Sequence, residues 1–483
     1  MPSPTLSKAF ILVSVLISGL CFYLGFSLNG NLGWLMWIAP IPVLFISLQV
    51  KPGQTFLVAF IAYLIGKLSW LSYLLNVLPK PLAFVYTLLI PLIFALVVLA
   101  SRKIHKVAQN NFSVLAFPIL FTAYEYLLFI FSPDGTATSI AYTQSNYLPV
   151  IQIASLTGIL GISFLLCLVP SVIALVCYNL KQKKNNSVLL SILSIVLVAV
   201  FVYGLMRLRE PQKGKTLELG LAVIDESAYK GVYQHDRAKE MELTTLYLQE
   251  VNALADRGAK IVLLPEKTIV ANDSTCDAIL QKFASLAAER RIQIIFGGTK
   301  QKTGFYLNNA WVISNRGVFL ADYQKVNLFE GEVLDGCKPG IKISIYRLDT
   351  LNEGVAICKD MDFQQFILGY SKKSPAVLYV PAWDFVQDGW LHSRMAILRS
   401  VEGGFSLVRN ARQGRLTLSD WRGMVVAEAN CESGTPAELL GELTVEAHTT
   451  IYARAGDWFG TVCLFAAAGF FFFVFSRRNK KTA

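Results

Sequence analysis

The chain has 483 residues, 54% of them hydrophobic and only 16% charged, with a formal net charge of +11. That is too apolar for an ordinary soluble protein of this length and predicts a membrane protein with a folded extramembrane part. The basic excess does not indicate nucleic acid: much of it sits in short loops beside apolar runs, with no zinc-finger spacing and no basic helix with interleaved aromatics.

Eight apolar runs come near the ~20 residues that a helix needs to cross ~30 Å of hydrocarbon. They fall at 9–28, 33–49, 56–76, 83–100, 112–131, 150–178, 188–206 and 457–476. The second is short and carries Pro40 and Pro42. The first does not read as a cleavable signal peptide, because its apolar part is long, only Lys8 precedes it and further spans follow. Basic clusters follow the fourth run (Arg102, Lys103, Lys106), the sixth (Lys181, Lys183, Lys184) and the eighth (Arg477, Arg478, Lys480, Lys481), whereas 132–149 has no Lys or Arg. With a cytoplasmic N-terminus, all three clusters fall inside, and the globular part falls outside. The expected organisation is a transmembrane region over 1–207 with about seven helices, a folded domain over 215–452, a transmembrane helix over 457–476 and a basic cytoplasmic tail over 477–483.

Two ionisable residues, Lys67 and Glu125, lie inside predicted spans. Charge at that depth faces a partner or a wet cavity, so the alternatives are a polar cavity for a lipid head group, an interhelical ion pair, or snorkelling near a span end.

From 216 onward the pattern changes. Strands are predicted at 217–224, 260–264 and 292–296, with helices at 238–256 and 278–290 between them. Further strands follow at 308–314, 317–322, 353–357 and 376–380, then a helix at 390–402 and strands near 405–409, 414–418 and 423–428. Strand and helix in alternation imply βαβ units. The sum is a layered α/β domain, two sheets between helices. The eight cysteines form no CxxC pair, so neither a metal site nor a redox dithiol is expected.

Three predicted strand ends carry reactive groups: Leu263-Leu-Pro-Glu266, Asp322-Tyr-Gln-Lys325 and Gly354-Val-Ala-Ile-Cys358. Parallel α/β sheets bind ligands beyond the carboxyl ends of their strands. A thiol needs a base, which Glu266 supplies, and an ammonium at Lys325 favours the thiolate and an oxyanion. The expected product is an acyl-thioester on Cys358 that a second nucleophile resolves. Read singly, each residue has a plainer explanation: a buried thiol, a helix-capping carboxylate and a solvated lysine.

These three motifs, in this order, resemble the Glu-Lys-Cys triad of the nitrilase (carbon–nitrogen hydrolase) superfamily. With a multi-span region before the domain and one span after it, the chain is similar to the apolipoprotein N-acyltransferase family. Local matches include Thr122-Ala-Tyr-Glu125, Ala141-Tyr-Thr-Gln144, Gly158-Ile-Leu-Gly-Ile-Ser-Phe164, Pro381-Ala-Trp383, Trp390-Leu-His-Ser-Arg-Met-Ala396 and Arg399-Ser-Val-Glu402. The resemblance implies a nitrilase-like αββα sandwich. It makes Cys358 the nucleophile, Glu266 the general base and Lys325 the oxyanion stabiliser, with Glu332, Asp360 and Trp383 in support. It implies no cofactor. It also implies a multi-pass protein of the bacterial cytoplasmic (inner) membrane, with its catalytic domain on the periplasmic side and both termini cytoplasmic. The acyl donor would be a membrane phospholipid and the acceptor the N-terminal amine of a diacylglyceryl-cysteine lipoprotein. A membrane-anchored amidase, with water as the second nucleophile, is the alternative; a scaffold without activity is a third.

The chain departs from the family pattern in four places. Trp-Pro-Glu-Thr is Leu264-Pro-Glu-Lys267, and Cys-Tyr-Glu is Cys358-Lys-Asp360. Pro-Phe-Gly-Glu is Leu328-Phe-Glu-Gly-Glu332, and Gln-Gly-Asn is Val223-Ile-Asp225. Phe329, Phe385 and Trp390 are candidates for a lipid-facing lid.

Overall fold

The structure, a computed structural model, describes residues 6–230, 232 and 236–479. Most of the expected basic tail therefore lies outside the described residues. The chain forms two units. One takes in the chain up to Pro133, Thr138–Leu208 and everything from Asp457; the other comprises Asp134–Ala137 and Arg209–Gly456.

Among the described residues the first unit has seven helices long and apolar enough to cross a bilayer: Lys8–Gly25, Pro52–Val77, Lys80–Ala108, Asn111–Phe131, Ile159–Lys181, Ser187–Leu208 and Trp458–Arg477. The expected span over 33–49 is not one of them. It is a 3-10 turn, Gly33–Trp37, and an eight-residue helix, Pro40–Ser47. Pro40 and Pro42 bring no N–H to a helix, which confines them to its first turn. Gly33 is pressed so close to the Thr143 carbonyl that a Cβ would lie 1.8 Å from its oxygen. At 1.5 Å per residue the broken stretch falls short of the ~30 Å core. The run over 150–178 is also shorter as a helix than as a sequence. Gly158, at φ +67°, separates short turns at Leu148–Ile151 and Ala154–Thr157 from the long helix.

Among the described residues the second unit holds thirteen strands in two sheets, numbered in chain order: β1 Lys215–Val223, β2 Ile261–Leu263, β3 Ile269–Asn272, β4 Gln293–Lys302, β5 Phe305–Ile313, β6 Phe319–Gln324, β7 Ser344–Leu348, β8 Leu351–Val355, β9 Val377–Trp383, β10 Ser406–Arg412, β11 Arg415–Ser419, β12 Val425–Asn430 and β13 Ala437–Val445. The first sheet runs β13-β1-β2-β4-β5-β6, with β3 also paired to β4; the second runs β12-β11-β10-β9-β8-β7. The central pairs β1–β2, β2–β4, β8–β9 and β9–β10 are parallel. Parallel strands are covered on both faces, which is why they read as unbroken apolar runs.

Helices Arg237–Asp256 and Asp273–Arg290 cover the first sheet. Asp236 and Asn272 cap them, each accepting from two backbone N–H groups of the first turn. Leu243, Tyr247, Val251 and Leu254 recur at helical spacing and pack with Phe283, Val262, Ile294 and Phe296. Between the sheets lie Leu219, Leu221, Leu263 and Ile295 with Val355, Tyr379, Val408 and Leu418. Helices Gln364–Ser371 and Gly389–Gly403 cover the second sheet through Ile367, Tyr370, Ala396 and Ile397. The result is the four-layer αββα sandwich. Asn410 of β10 bolts the sheets together, its amide donating to the carbonyls of Ala222 (3.0 Å) and Leu263 (2.6 Å).

Candidate active site

Each of the three expected reactive residues stands just past the carboxyl end of its strand. Glu266 follows β2, Lys325 follows β6 and Cys358 follows β8. The turn after β2 is fixed by its backbone: Glu266 N–H donates to Ala382 O (3.3 Å) and Thr268 N–H to Gly297 O (3.0 Å). Gly297 is required there, because a Cβ would meet Cα of Glu266 at 2.7 Å.

Lys325 lies between two buried carboxylates, donating to Glu266 Oε1 (2.8 Å) and Glu332 Oε2 (2.7 Å). Lys267, turned back at φ +56°, reaches Glu332 Oε1 at 3.2 Å. Asn308 of β5 donates to both carboxylates, at 2.6 Å to Glu266 and 2.7 Å to Glu332. Two ammonium groups thus balance two carboxylates in a cluster almost closed to solvent. Burial opposes the charge on Lys325, but Glu266 and Glu332 outweigh it and hold its pKa well above the usual lysine range. Burial likewise opposes ionisation of Glu332, yet Lys325 and Lys267 hold its carboxyl well below the usual range.

Cys358 opens a 3-10 turn, Cys358–Asp362, and adopts φ +42°. A side-chain-bearing residue in that region is strained and persists only where its surroundings enforce it. Its Sγ lies 3.5 Å from the carbonyl oxygen of Trp383, at the end of β9. Burial, and next the charge of Glu266, push the thiol well above its usual range, while Lys325 pulls the other way. At rest the group is a thiol beside a carboxylate able to take its proton and an ammonium able to hold a developing oxyanion.

Asp360 is fully buried and organises this turn. Its Oδ2 accepts from Ile357 N–H (3.0 Å) and Tyr323 O–H (2.6 Å). Its Oδ1 accepts from Asn327 N–H (2.8 Å) and Asn327 Nδ2 (3.0 Å). The shortened carboxylate therefore ties the segment after Lys325 to the strand before Cys358. Trp383 packs under Arg412, whose guanidinium carbon is 4.0 Å from the ring centroid, and donates to Gln413 Oε1 (2.8 Å). Of the candidate lid residues, Phe329 and Phe385 are ring neighbours at 5.1 Å, whereas Trp390 is buried in the domain.

Lys67 and Glu125 are not brought together as an ion pair. The Lys67 ammonium sits over Phe26 (3.9 Å), Trp70 (4.7 Å) and Tyr63 (5.9 Å) and makes no hydrogen bond. Glu125 accepts from Ile140 N–H (2.9 Å) and Ser139 Oγ (3.3 Å).

Sequence reasoning missed Asn308 and Lys267 as members of the cluster. The signal for the first was an adjacent Asn308-Asn309 pair in an otherwise apolar strand, since a buried amide must find partners. Nothing local marks Lys267, whose side chain reaches the site only through its left-handed backbone.

An αββα sandwich with a thiol, a carboxylate and an ammonium at its strand ends defines a carbon–nitrogen hydrolase domain, and residues 209–423 match the family model described as Carbon-nitrogen hydrolase. Residues 18–172 match that described as Apolipoprotein N-acyltransferase N-terminal domain. The chain belongs to the apolipoprotein N-acyltransferase family of the nitrilase superfamily. It is 24% identical to an apolipoprotein N-acyltransferase of Geobacter metallireducens, over 96% of this chain and 95% of that one. It is also 24% identical to one of Thermotoga maritima, over 70% and 67% respectively. A deaminated glutathione amidase of Synechocystis is 28% identical over 39% of this chain and 83% of its own. Among solved structures, an amidase from Nesterenkonia sp. aligns with 17% identity over 48% of this chain and 92% of that one, at a TM-score of 0.42.

Proposed function

We propose that this protein moves an acyl chain from a membrane phospholipid, through a thioester on Cys358, to the N-terminal amine of a diacylglyceryl-cysteine lipoprotein. The observation that carries this reading is the closed cluster of Glu266, Lys325 and Glu332 beside the Cys358 turn, in a chain whose described residues include seven bilayer-length apolar helices. Glu266 takes the thiol proton as sulfur attacks the ester carbonyl. Lys325 stabilises the oxyanion, and the departing lysophospholipid oxygen receives the proton back from Glu266. The acceptor amine then attacks the thioester, Glu266 removes its proton, and the proton returns to the leaving sulfur. Glu332 and Asn308 keep Lys325 and Glu266 aligned; Asp360 and Trp383 hold the nucleophile turn.

The same reading sets the protein in the inner membrane of a bacterium, with the catalytic domain outside and both termini cytoplasmic. That arrangement needs an even number of crossings. Seven long helices among the described residues give an odd number, so in this reading the short Gly33–Ser47 stretch supplies the eighth crossing where the bilayer is locally thinned around it. A reporter fused after Ser47 and active only outside the cytoplasm would overturn this topology.

The amidase alternative shares the triad and differs in its second nucleophile. Likeness to an acyltransferase relative over 96% of the chain, against 39% for the amidase, supports transfer to an amine. The test is complementation of a strain lacking lipoprotein N-acylation, together with intact mass of the purified protein after incubation with phospholipid. Growth and a thioester adduct are expected for the wild type, and neither for Cys358→Ala. No adduct under conditions that acylate a known family member would refute the proposal.

A further inference from the structure

Lys359, beside the nucleophile, is where this chain replaces the aromatic residue of the family pattern. Its side chain is 9% exposed, and an ammonium held that closely needs a counter-charge. Asp360 is the nearest carboxylate in sequence, but both its oxygens are committed to Ile357, Tyr323 and Asn327. Lys359 instead donates to Asp134 Oδ1 at 2.8 Å, a residue 225 positions earlier in the chain.

The residues after Asp134 address the other end of the same turn. Thr136 donates to the Asp362 carbonyl oxygen twice, from its N–H (2.9 Å) and from its Oγ1 (2.8 Å). Gly135, between them, has φ +52°, and a Cβ there would lie 2.4 Å from that carbonyl oxygen. Only glycine both adopts this conformation freely and lets the two backbones approach so closely. Three consecutive residues thus grip the second and fifth residues of the turn whose first residue is Cys358.

We propose that Asp134, Gly135 and Thr136 form a clamp that positions the nucleophile, with Asp134 and Lys359 as a positioning pair for Cys358. The strained φ of Cys358 must be enforced from outside the turn. Asp360 enforces it from the strand side, and the clamp from the opposite end. The Lys359 ammonium also lies 5.4 Å from the centroid of Phe329, whose N–H donates to Glu332 at 3.0 Å. Lys359 therefore sits between the clamp and the segment that carries the Lys325 cluster. This inference rests on the acyl-transfer reading for its functional meaning.

The experiment uses the full-length protein in detergent with Asp134→Ala, Lys359→Met, Thr136→Val and the charge swap Asp134→Lys with Lys359→Asp. Three quantities are followed: thioester formation on Cys358 from phospholipid, alkylation of Cys358 by iodoacetamide located by peptide mass mapping, and melting temperature. Each single charge variant is expected to slow acylation and alkylation by roughly ten- to a hundredfold, since small misplacements of a reacting atom have effects of that size. The swap should recover to within about threefold of wild type, which loss of packing alone would not do. Wild-type rates in Asp134→Ala, or a swap no faster than the single variants, would overturn the clamp. Thr136→Val keeps the charges and carries the test should Asp134→Ala fail to fold; an unchanged alkylation rate in it also counts against the clamp. Alkylation reads the turn without any acyl donor. Absence of the thioester in the wild type therefore counts against acyl transfer, and a normal alkylation rate in the variants counts against the clamp.

Discussion

Replacing Asp360 by asparagine swaps one oxygen for an amide of the same shape, and the structure fixes what that change removes. Each carboxylate oxygen accepts from one backbone N–H, Ile357 on Oδ2 and Asn327 on Oδ1, and from one side chain besides. Whichever way the new amide is flipped, its NH2 faces a backbone N–H; that bond is lost, its buried donor is left unpaired, and the three remaining bonds lose their charged acceptor. A bond to a charged acceptor contributes about 1.5–3 kcal/mol and a neutral one about 0.5–1.5, so one bond lost and three weakened should destabilise Asp360→Asn by about 3–6 kcal/mol. For a domain of this size, about 2–4 °C is lost per kcal/mol, which puts the drop in melting temperature near 10 °C. Asp360→Glu keeps the charge but forces a methylene into a fully buried site, at a cost of about 1–3 kcal/mol. The glutamate of the family pattern should therefore be intermediate here. Thermal melting of the full-length protein in detergent, paired with the Cys358 thioester assay, measures both. If Asp360→Asn melted within about 2 °C of wild type and acylated normally, Asp360 would not be the tie between the Lys325 segment and the nucleophile turn.

Two further outcomes follow from the charges. Lys325→Met leaves Glu266 and Glu332 buried without their shared ammonium; breaking a buried pair costs about 3–5 kcal/mol, and thioester formation should fall at least about a hundredfold. An active, equally stable Lys325→Met protein would refute the oxyanion role. His392 reports on pH: burial opposes its charge, but Asp388 (3.2 Å away), Asp362 and Asp384 raise its pKa from 6.5 to about 9. The folded state therefore binds this proton more tightly than the unfolded chain. Its stabilisation is complete below pH 6.5 and is lost as pH rises through about 9. Melting temperature should decline across that window in the wild type and decline less in His392→Gln; parallel curves would contradict the assignment.

The placement of Glu266, Lys325 and Cys358 just past strand ends was legible because strand ends are local features: an apolar run, a proline or polar break, then a polar side chain. The αββα layering was legible for the same reason, since helical and strand periodicities alternate along 217–296. What escaped depends on partners distant in sequence. β13 is half exposed and becomes a strand by pairing with β1, the first strand of the domain. β7 pairs with β8 through a tight turn, where the sequence showed only the second strand. The run over 33–49 was read by hydropathy, which does not register that prolines and a close glycine contact break its helix. Lys359 looked like a departure without a reason because its partner, Asp134, is separated from it by 225 positions.

The left-handed backbone of Cys358 has one more consequence, for how such a protein drifts. At φ +42° a side chain is carried at an energetic disadvantage of about 1–2 kcal/mol that glycine would not bear. Selection for folding alone would thus push position 358 toward glycine. A glycine there would relax the turn while leaving the sandwich around it unchanged, so backbone strain at this position is separable from the fold.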